Sequence, residues 1–393
     1  MGGTTRKEHA LRVRPLVAAV PAALLSLSFV PADAVAPAPT NPYVVVLRDG
    51  VSSATAASYA ASLGGTVTSV WSDAINGYAA RLTPAAAAAL AASPDVASVE
   101  ADVTFSATTT QSAPPNWGLD RIDQVNRPLS NTFTYTRTGS GVKAYILDSG
   151  IRFSHTQFGG RAISGADYID GGAADDCNGH GTHVAGIVGG STVGVAKAVT
   201  LVGVRVLDCA GNGTLSSIVN GLNYVIGNHA AGTPAVANLS LGGGANSTID
   251  TAVQNTINDG VTVVVAAGNG DQWGVRQPAC NYSPARVSAA ITIGATTNTD
   301  AAASFSNYGS CVDWLAPGVS ILSSWHTGDT AGAYLDGTSQ ATPHVAGIAA
   351  QYLQTSPGAS PATVRTALYN LTTKSIVTNA GTGTPNHLAF TNL

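Results

Sequence analysis

Four residues of this 393-residue chain stand in surroundings suited to chemistry: Asp148, His180, Asn269 and Ser339. Asp148 closes the run Lys-Ala-Tyr-Ile-Leu-Asp and leads into Ser149-Gly150. His180 lies in Asn178-Gly179-His180-Gly181-Thr182-His183, where a helix is expected to begin. Asn269 ends Val-Val-Val-Ala-Ala-Gly-Asn, and Ser339 sits in Asp336-Gly337-Thr338-Ser339-Gln340-Ala341-Thr342-Pro343 at another helix start. A serine hydroxyl is a poor nucleophile until a neighbouring base takes its proton. An imidazole titrates near neutrality and can take and return that proton. A buried carboxylate fixes the imidazole's tautomer and stabilises its cation. The oxyanion formed by the attack needs donors, which the backbone N–H of Ser339 and the amide of Asn269 could supply. Together these residue types imply acyl transfer through a covalent intermediate.

The elements that must carry them are short and regular. Lys143–Asp148, Thr200–Leu207, Ala235–Leu241, Val261–Ala267 and Ala290–Ala295 are nearly continuous apolar runs rich in β-branched residues, as buried strands are. Between and after them, His180–Gly189, Leu215–Asn228, Ile249–Asp259 and Thr338–Leu353 read as helices. The alternation predicts an α/β fold with a mainly parallel sheet covered by helices on both faces. In such sheets ligands bind beyond the carboxyl ends of the strands, where Asp148 and Asn269 fall.

A different texture precedes this region. Arg6, Lys7, Arg12 and Arg14 lead an apolar run from Leu16 to Val30, and Ala34-Val35-Ala36 offers a small-x-small cleavage site, so residues 1–36 are expected to be a signal peptide. After a proline-rich joint, residues 43–103 read as β-α-β-β-α-β, the split ferredoxin-like pattern. Residues 106–115 form a polar, proline-containing linker suited to a proteolytic cut.

Composition narrows the function. Only 10% of residues are charged and the net charge is −4, which excludes a basic nucleic-acid surface. No later stretch is apolar enough to span a bilayer, so a soluble mature protein is expected. Cys177, Cys209, Cys280 and Cys311 are an even set, which in an exported chain suggests two disulfides with three pairings open. Cys177-x-x-His180-x-x-His183 also has metal-ligand spacing, but a zinc reading leaves the Asp, Asn and Ser motifs unexplained.

Four stretches, in this order, resemble the subtilisin-like serine proteases, and within them the proteinase K and aqualysin group. They are Ala-Tyr-Ile-Leu-Asp-Ser-Gly-Ile (144–151), Asn-Gly-His-Gly-Thr-His-Val-Ala-Gly (178–186), Ala-Ala-Gly-Asn (266–269) and Gly-Thr-Ser-Gln-Ala-Thr-Pro-His-Val-Ala-Gly (337–347). The resemblance covers about residues 43–393. It implies a three-layer subtilisin-like peptidase domain (107–393) behind a ferredoxin-like inhibitory propeptide (37–106), which serves as intramolecular chaperone. It further implies a secreted, monomeric endopeptidase acting on proteins and peptides, with Asp148, His180 and Ser339 as the triad and Asn269 at the oxyanion. Residues 103–106 would be delivered to the cleft and self-cleavage would fall at about 106–110.

By position, the resemblance assigns Gly211, Asn212 and Gly213 to an edge that pairs with extended substrate. Ser240, Leu241, Gly242, Ala267 and Gly268 become walls of the primary pocket, small and uncharged, which implies preference for apolar or aromatic residues. The cysteine separations favour Cys177–Cys209 and Cys280–Cys311. Structural calcium is implied at Asp300 with backbone oxygens near Gln277 and Ala279, and at a second site of Asp120, Asp123, Gln124 and Asn131; no organic cofactor is expected. Gln340 replaces the methionine usual after the nucleophile, and Met1 is the sole methionine of the chain.

Two readings from other classes compete. A catalytically silent binding protein would not need four intact motifs. A serine esterase would show Gly-x-Ser-x-Gly and the order Ser, Asp, His, whereas Gly337-Thr338-Ser339-Gln340-Ala341 lacks the last glycine. His183 and His344, on small apolar helical segments, are expected to be structural, and His155, His229 and His326 to lie on the surface or in loops.

Overall fold

A computed structural model describes residues 39–103 and 109–393. The expected signal peptide and most of the expected cut site lie outside the described residues. The described chain forms two compact units that meet in sequence near residue 105.

The N-terminal unit runs β1 (Asn41–Leu47), α1 (Ser53–Ser62), β2 (Thr66–Trp71), β3 (Gly77–Leu82), α2 (Pro84–Ala91) and β4 (Val96–Ala101). The strands form an antiparallel sheet in the order β2-β3-β1-β4, the expected ferredoxin-like topology. Both helices start on hydroxyl caps, Ser52 accepting from the Thr55 N–H and Thr83 from the Ala86 N–H, with Pro84 in the first turn of α2. Val45, Leu47, Ala60, Tyr78, Leu82 and Leu90 form its core.

The larger unit begins with the β5 (Thr109–Ser112) and β6 (Thr132–Tyr135) ribbon around α3 (Trp117–Ile122). Then come β7 (Lys143–Asp148), β8 (Ala162–Asp167), α4 (His180–Gly189), β9 (Thr200–Arg205), α5 (Leu215–Asn228), β10 (Ala235–Leu239) and β11 (Gly243–Gly244). Next are α6 (Ser247–Asn258), β12 (Thr262–Ala266), β13 (Tyr282–Ser283), β14 (Ile291–Thr296), β15 (Trp314–Pro317), β16 (Ile321–Ser324) and β17 (Gly332–Leu335). The unit closes with α7 (Thr338–Thr355), α8 (Pro361–Leu371), β18 (Thr373–Lys374) and β19 (His387–Leu388). Nine strands form the main sheet, ordered β18-β19-β15-β14-β12-β10-β7-β9-β8 and parallel except for β18 against β19.

The apolar runs are continuous because each strand feeds two cores. In β7, Ala144 and Ile146 enter the cluster shared with α4 and α7, while Tyr145 and Leu147 enter the one shared with α5 and α6. Val264 and its neighbours Val263 and Val265 divide in the same way along β12. The strand order reverses at β7, with β9 on one side and β10 on the other, so a crevice opens beyond the carboxyl end of β7 where Asp148 sits. In the main sheet β8, β15, β18 and β19 went unforeseen, as did the short ribbon strands β5, β6, β11, β13, β16 and β17. Ala-Ile-Ser-Gly-Ala-Asp is half polar because β8 is an edge strand, and Trp-Leu-Ala-Pro is too short to show a period. Among the described residues no helix is long and apolar enough to cross a membrane.

Candidate active site

The end of β7 and the start of α4 bring the first pair together. Asp148 is fully buried, and its Oδ1 accepts from the Ser149 N–H at 2.8 Å and from Nδ1 of His180 at 2.7 Å. A carboxylate only accepts, so Nδ1 carries the proton and Nε2 keeps its lone pair toward the crevice. Burial pulls the His180 pKa down, but the charge of Asp148, their hydrogen bond and the charge of Asp176 outweigh it, leaving the pKa above the ordinary imidazole value. The first turn of α4 lies directly on this strand end, since a Cβ at Gly181 would stand 2.1 Å from the Gly150 carbonyl oxygen.

Ser339 is the second residue of α7, and Pro343 lies inside the same helix. A proline four residues on has no N–H to give to the Ser339 carbonyl. Ser240, just past β10, supplies a donor: its Oγ reaches that carbonyl at 2.8 Å and accepts in turn from Asn238 Nδ2 at 2.9 Å. The hydroxyl of Ser339 donates to the Ser240 carbonyl at 3.0 Å, so in this state it is not hydrogen-bonded to the imidazole.

Asn269 follows β12 and meets the turn before Ser339. Its Oδ1 accepts from both the N–H and the hydroxyl of Thr338, each at 2.8 Å. That double demand assigns the amide, so Nδ2 is the free, donating end. The Ser339 N–H likewise has no partner among the described residues, as expected near a helix start. A Cβ at Gly337 would stand 3.4 Å from Asn269 Nδ2 and 3.5 Å from the Ser339 nitrogen, so the two donors border the same space.

Two depressions adjoin these residues. One of about 450 Å³ is lined by Asn178, His180, Leu207, Gly211, Asn212, Gly213, Ser240, Leu241 and Gly242. The other, about 180 Å³, is lined by Leu241, Gly242, Ala266, Ala267, Gly268, Asn269, Tyr282, Asn307 and Ser339, with no ionisable carboxylate or amine. The residues expected to bind substrate all fall on one or both. Sequence reasoning missed Asn307, which donates Nδ2 to the Ala267 carbonyl at 2.9 Å and accepts from the Gly270 N–H at 3.0 Å. Its amide also explains Gly268, whose φ is +100° and whose Cβ would fall 2.4 Å from Asn307 Nδ2. Thr338, which orients Asn269, was equally invisible, because its neighbour lies 69 positions away.

The cysteines join as Cys177–Cys209 and Cys280–Cys311. The zinc-like spacing is thereby dissolved: Cys177 is in a disulfide and Nε2 of His183 faces the Ile321 and Ala333 carbonyls at 3.1 and 3.0 Å. His183 and His344 are fully buried, and burial pushes each down to about 4, so neither competes as a base near neutrality. His155 and His229 lie in loops, as expected, but both are held by side-chain contacts. His155 is buried, with Nε2 against the Ala331 carbonyl, and His229 bridges Asp259 and the Thr233 carbonyl.

The two calcium expectations separate. At Asp300 the expectation is corrected: both carboxylate oxygens are taken by the fully buried guanidinium of Arg121, at 2.6 and 3.2 Å, and a fixed cation leaves no charge for a metal. Gln277 and Ala279 instead pair their backbones with Tyr308. The second set fits a hard cation better. Asp123 keeps one buried oxygen, Oδ1, without a partner among the described residues. Burial, with the charge of Asp120 adding to it, pushes its carboxyl up to about 6. Asp120 and Gln124 turn toward the same segment, both accepting from the Ser130 N–H at 3.0 Å. Asn131 presents its N–H to Asp120 at 2.7 Å, and its carbonyl accepts from the Ala113 N–H at 2.9 Å.

Known proteins resemble the chain over both units. The subtilase family profile matches residues 139–389, and the peptidase inhibitor I9 profile matches residues 42–108. The chain is 55% identical over 329 residues to an extracellular serine proteinase of Thermus sp. (strain Rt41A), covering 84% of this chain and 78% of that protein. It is 47% identical over 330 residues to alkaline serine exoprotease A of Vibrio alginolyticus, covering 82% of this chain and 60% of that protein. The crystal structure of a cold-adapted subtilisin-like serine proteinase aligns with a TM-score of 0.67 at 48% identity, covering 70% of this chain and 98% of the other.

Proposed function

Because the chain belongs to the subtilase family of serine proteinases and carries an I9-type inhibitor domain ahead of the peptidase domain, we propose that it is a secreted endopeptidase that matures by cutting itself. Ser339 is the nucleophile, His180 the base, Asp148 its orienting carboxylate, and Asn269 with the Ser339 N–H the oxyanion donors. The observation that carries this reading is the buried Asp148 bonded to the one imidazole nitrogen that leaves Nε2 open to the crevice.

In the resting arrangement the nucleophile's proton points at the Ser240 carbonyl. Rotation about the Cα–Cβ bond, between ordinary staggered wells, brings the hydroxyl toward Nε2. His180 then takes the proton as Oγ attacks the scissile carbonyl, and Asp148 stabilises the imidazolium. The developing oxyanion meets two preoriented donors, and the proton returns to the leaving amine. Water repeats the sequence on the acyl-enzyme. Small uncharged walls around the 180 Å³ pocket favour apolar or aromatic side chains without selecting one, and Gly211-Asn212-Gly213 offers backbone pairing to an extended chain.

Residues 37–106 are the inhibitor and folding aid, 107–393 the peptidase, and 1–36 the export signal; the name of the Thermus relative supports an extracellular location. The mature enzyme acts as a monomer on proteins and peptides. Asp120, Asp123 and Gln124 would hold calcium, which would supply positive charge between two carboxylates and brace the α3–β6 turn. The test is casein hydrolysis by the secreted protein with and without a serine-directed covalent inhibitor, followed by mass mapping of the adduct. Inhibited cleavage with the adduct on Ser339 is expected; an active enzyme labelled elsewhere would overturn the assignment. Ser339→Ala is expected to keep its propeptide attached, and normal processing of that variant would sink self-cleavage alone.

A further inference from the structure

We propose that Asp176 is a positioning residue for the catalytic imidazole, tying the strand end that carries Asp148 to the helix turn that carries His180. The inference rests on the serine-proteinase reading above. One Asp176 carboxylate accepts five hydrogen bonds. Oδ1 takes the Ser149 hydroxyl at 2.9 Å, the Asn178 N–H at 3.0 Å and the Gly179 N–H at 2.8 Å. Oδ2 takes the Thr182 N–H at 2.9 Å and the Thr182 hydroxyl at 2.6 Å. Ser149 closes the ring: its Oγ accepts from the Gly181 N–H at 3.0 Å, and its own N–H donates to Asp148 Oδ1.

The local sequence explains why the carboxylate stands outside the helix. The N-cap of α4 is Gly179, with φ +110° and no side chain to meet the orphan N–H groups of the first turn. Glycine is imposed there, since a Cβ would lie 2.5 Å from both the His326 ring and the Trp325 ring. Capping therefore passes to Asp176, where the negative charge also faces the positive end of the helix. With Gly181 pressed onto the Gly150 carbonyl, the turn has little slack. A shift of it moves Nε2 relative to the nucleophile, and misplacement of about 1 Å can lower a rate roughly 10²-fold. The ionisable groups around His180 are Asp148 at the strand end, Asp176 before the helix, His183 one turn on, and His326 against Gly179. Of these, Asp148 and Asp176 favour the imidazolium.

The experiment compares mature wild type, Asp176→Asn and Ser149→Ala on a chromogenic peptide, with active sites counted by a covalent serine inhibitor. Folding is checked by near-UV circular dichroism. Asp176→Asn keeps the shape but sets an amide donor against N–H and O–H donors. Its kcat should fall roughly 10- to 100-fold with KM held within about twofold. Its acid limb of kcat/KM should also move to lower pH, because a charge that favours the imidazolium is gone. A merely structural role would not move that limb. Folded Asp176→Asn with wild-type kcat and an unmoved limb, or with only KM changed, overturns the proposal. If that variant is not recovered folded, Ser149→Ala decides by the same readouts, with kcat expected to fall roughly 3- to 10-fold and no change counting against the proposal. A wild type without Ser339 labelling or activity overturns the serine-proteinase reading itself, which separates the two failures.

Discussion

Replacing Ser240 with alanine tests how the turn that carries Ser339 is held. The substitution removes the Oγ donor to the Ser339 carbonyl, which Pro343 already denies its helical partner. It also strands Asn238 Nδ2, a donor on a residue whose Oδ1 is already without a partner in the core. A lost neutral hydrogen bond costs about 0.5–1.5 kcal/mol, and a newly unsatisfied buried group about 1–3 kcal/mol, so about 2–4 kcal/mol is expected. For a domain of this size that lowers the melting temperature by roughly 3–7 °C. Calorimetry on enzyme blocked at its serine, so that autolysis does not intrude, reads this directly. Because the Ser240 carbonyl and the cleft wall remain, KM should hold while kcat falls. Adding Asn238→Leu removes the stranded amide and should recover about 1–2 kcal/mol. A melting point within about 1 °C of wild type, roughly the effect of less than 1 kcal/mol, together with an unchanged kcat, would refute the claim that Ser240 supplies what Pro343 withholds.

Asn269→Leu should lose roughly 10²–10³ in kcat, the range for the oxyanion asparagine of subtilisin, and also some stability, because it strands the N–H and hydroxyl of Thr338. Converting Cys280 and Cys311 to alanine opens a loop of 31 residues. In the chain-entropy model that costs about 3.7 kcal/mol, which melting of the blocked enzyme would register. A chelator should lower the melting point of the wild type but not of Asp123→Asn, while Asp300→Asn should stay chelator-sensitive and lose stability through its stranded arginine. Asp123 also fixes a pH sign. Its folded pKa of about 6 lies above the ordinary value of 3.8, so the native state holds the proton more tightly. Metal-free enzyme should therefore lose stability as pH rises from about 4 to about 6, and calcium should abolish the slope.

The residue pattern alone indicated most of the main strands and helices and named the four candidate residues of the site. Period and composition are local properties, so β7, α4, α5 and the two-unit division were legible without coordinates, as were Asp148, His180, Asn269 and Ser339 in their glycine-rich turns. Glycine was legible as a signal of close approach, but not what approached: Gly268 makes room for Asn307, and Gly179 for Trp325 and His326. Only the tertiary structure decided which groups hold the site. Asp300 looked like a free carboxylate until folding set it on Arg121, 179 positions earlier. Ser240 and Ser339 lie 99 positions apart, and Asp176 reaches back 27 positions to Ser149. Such partners are set by where the sheet order carries the chain, and burial then leaves each polar atom dependent on whatever donor or acceptor arrives beside it.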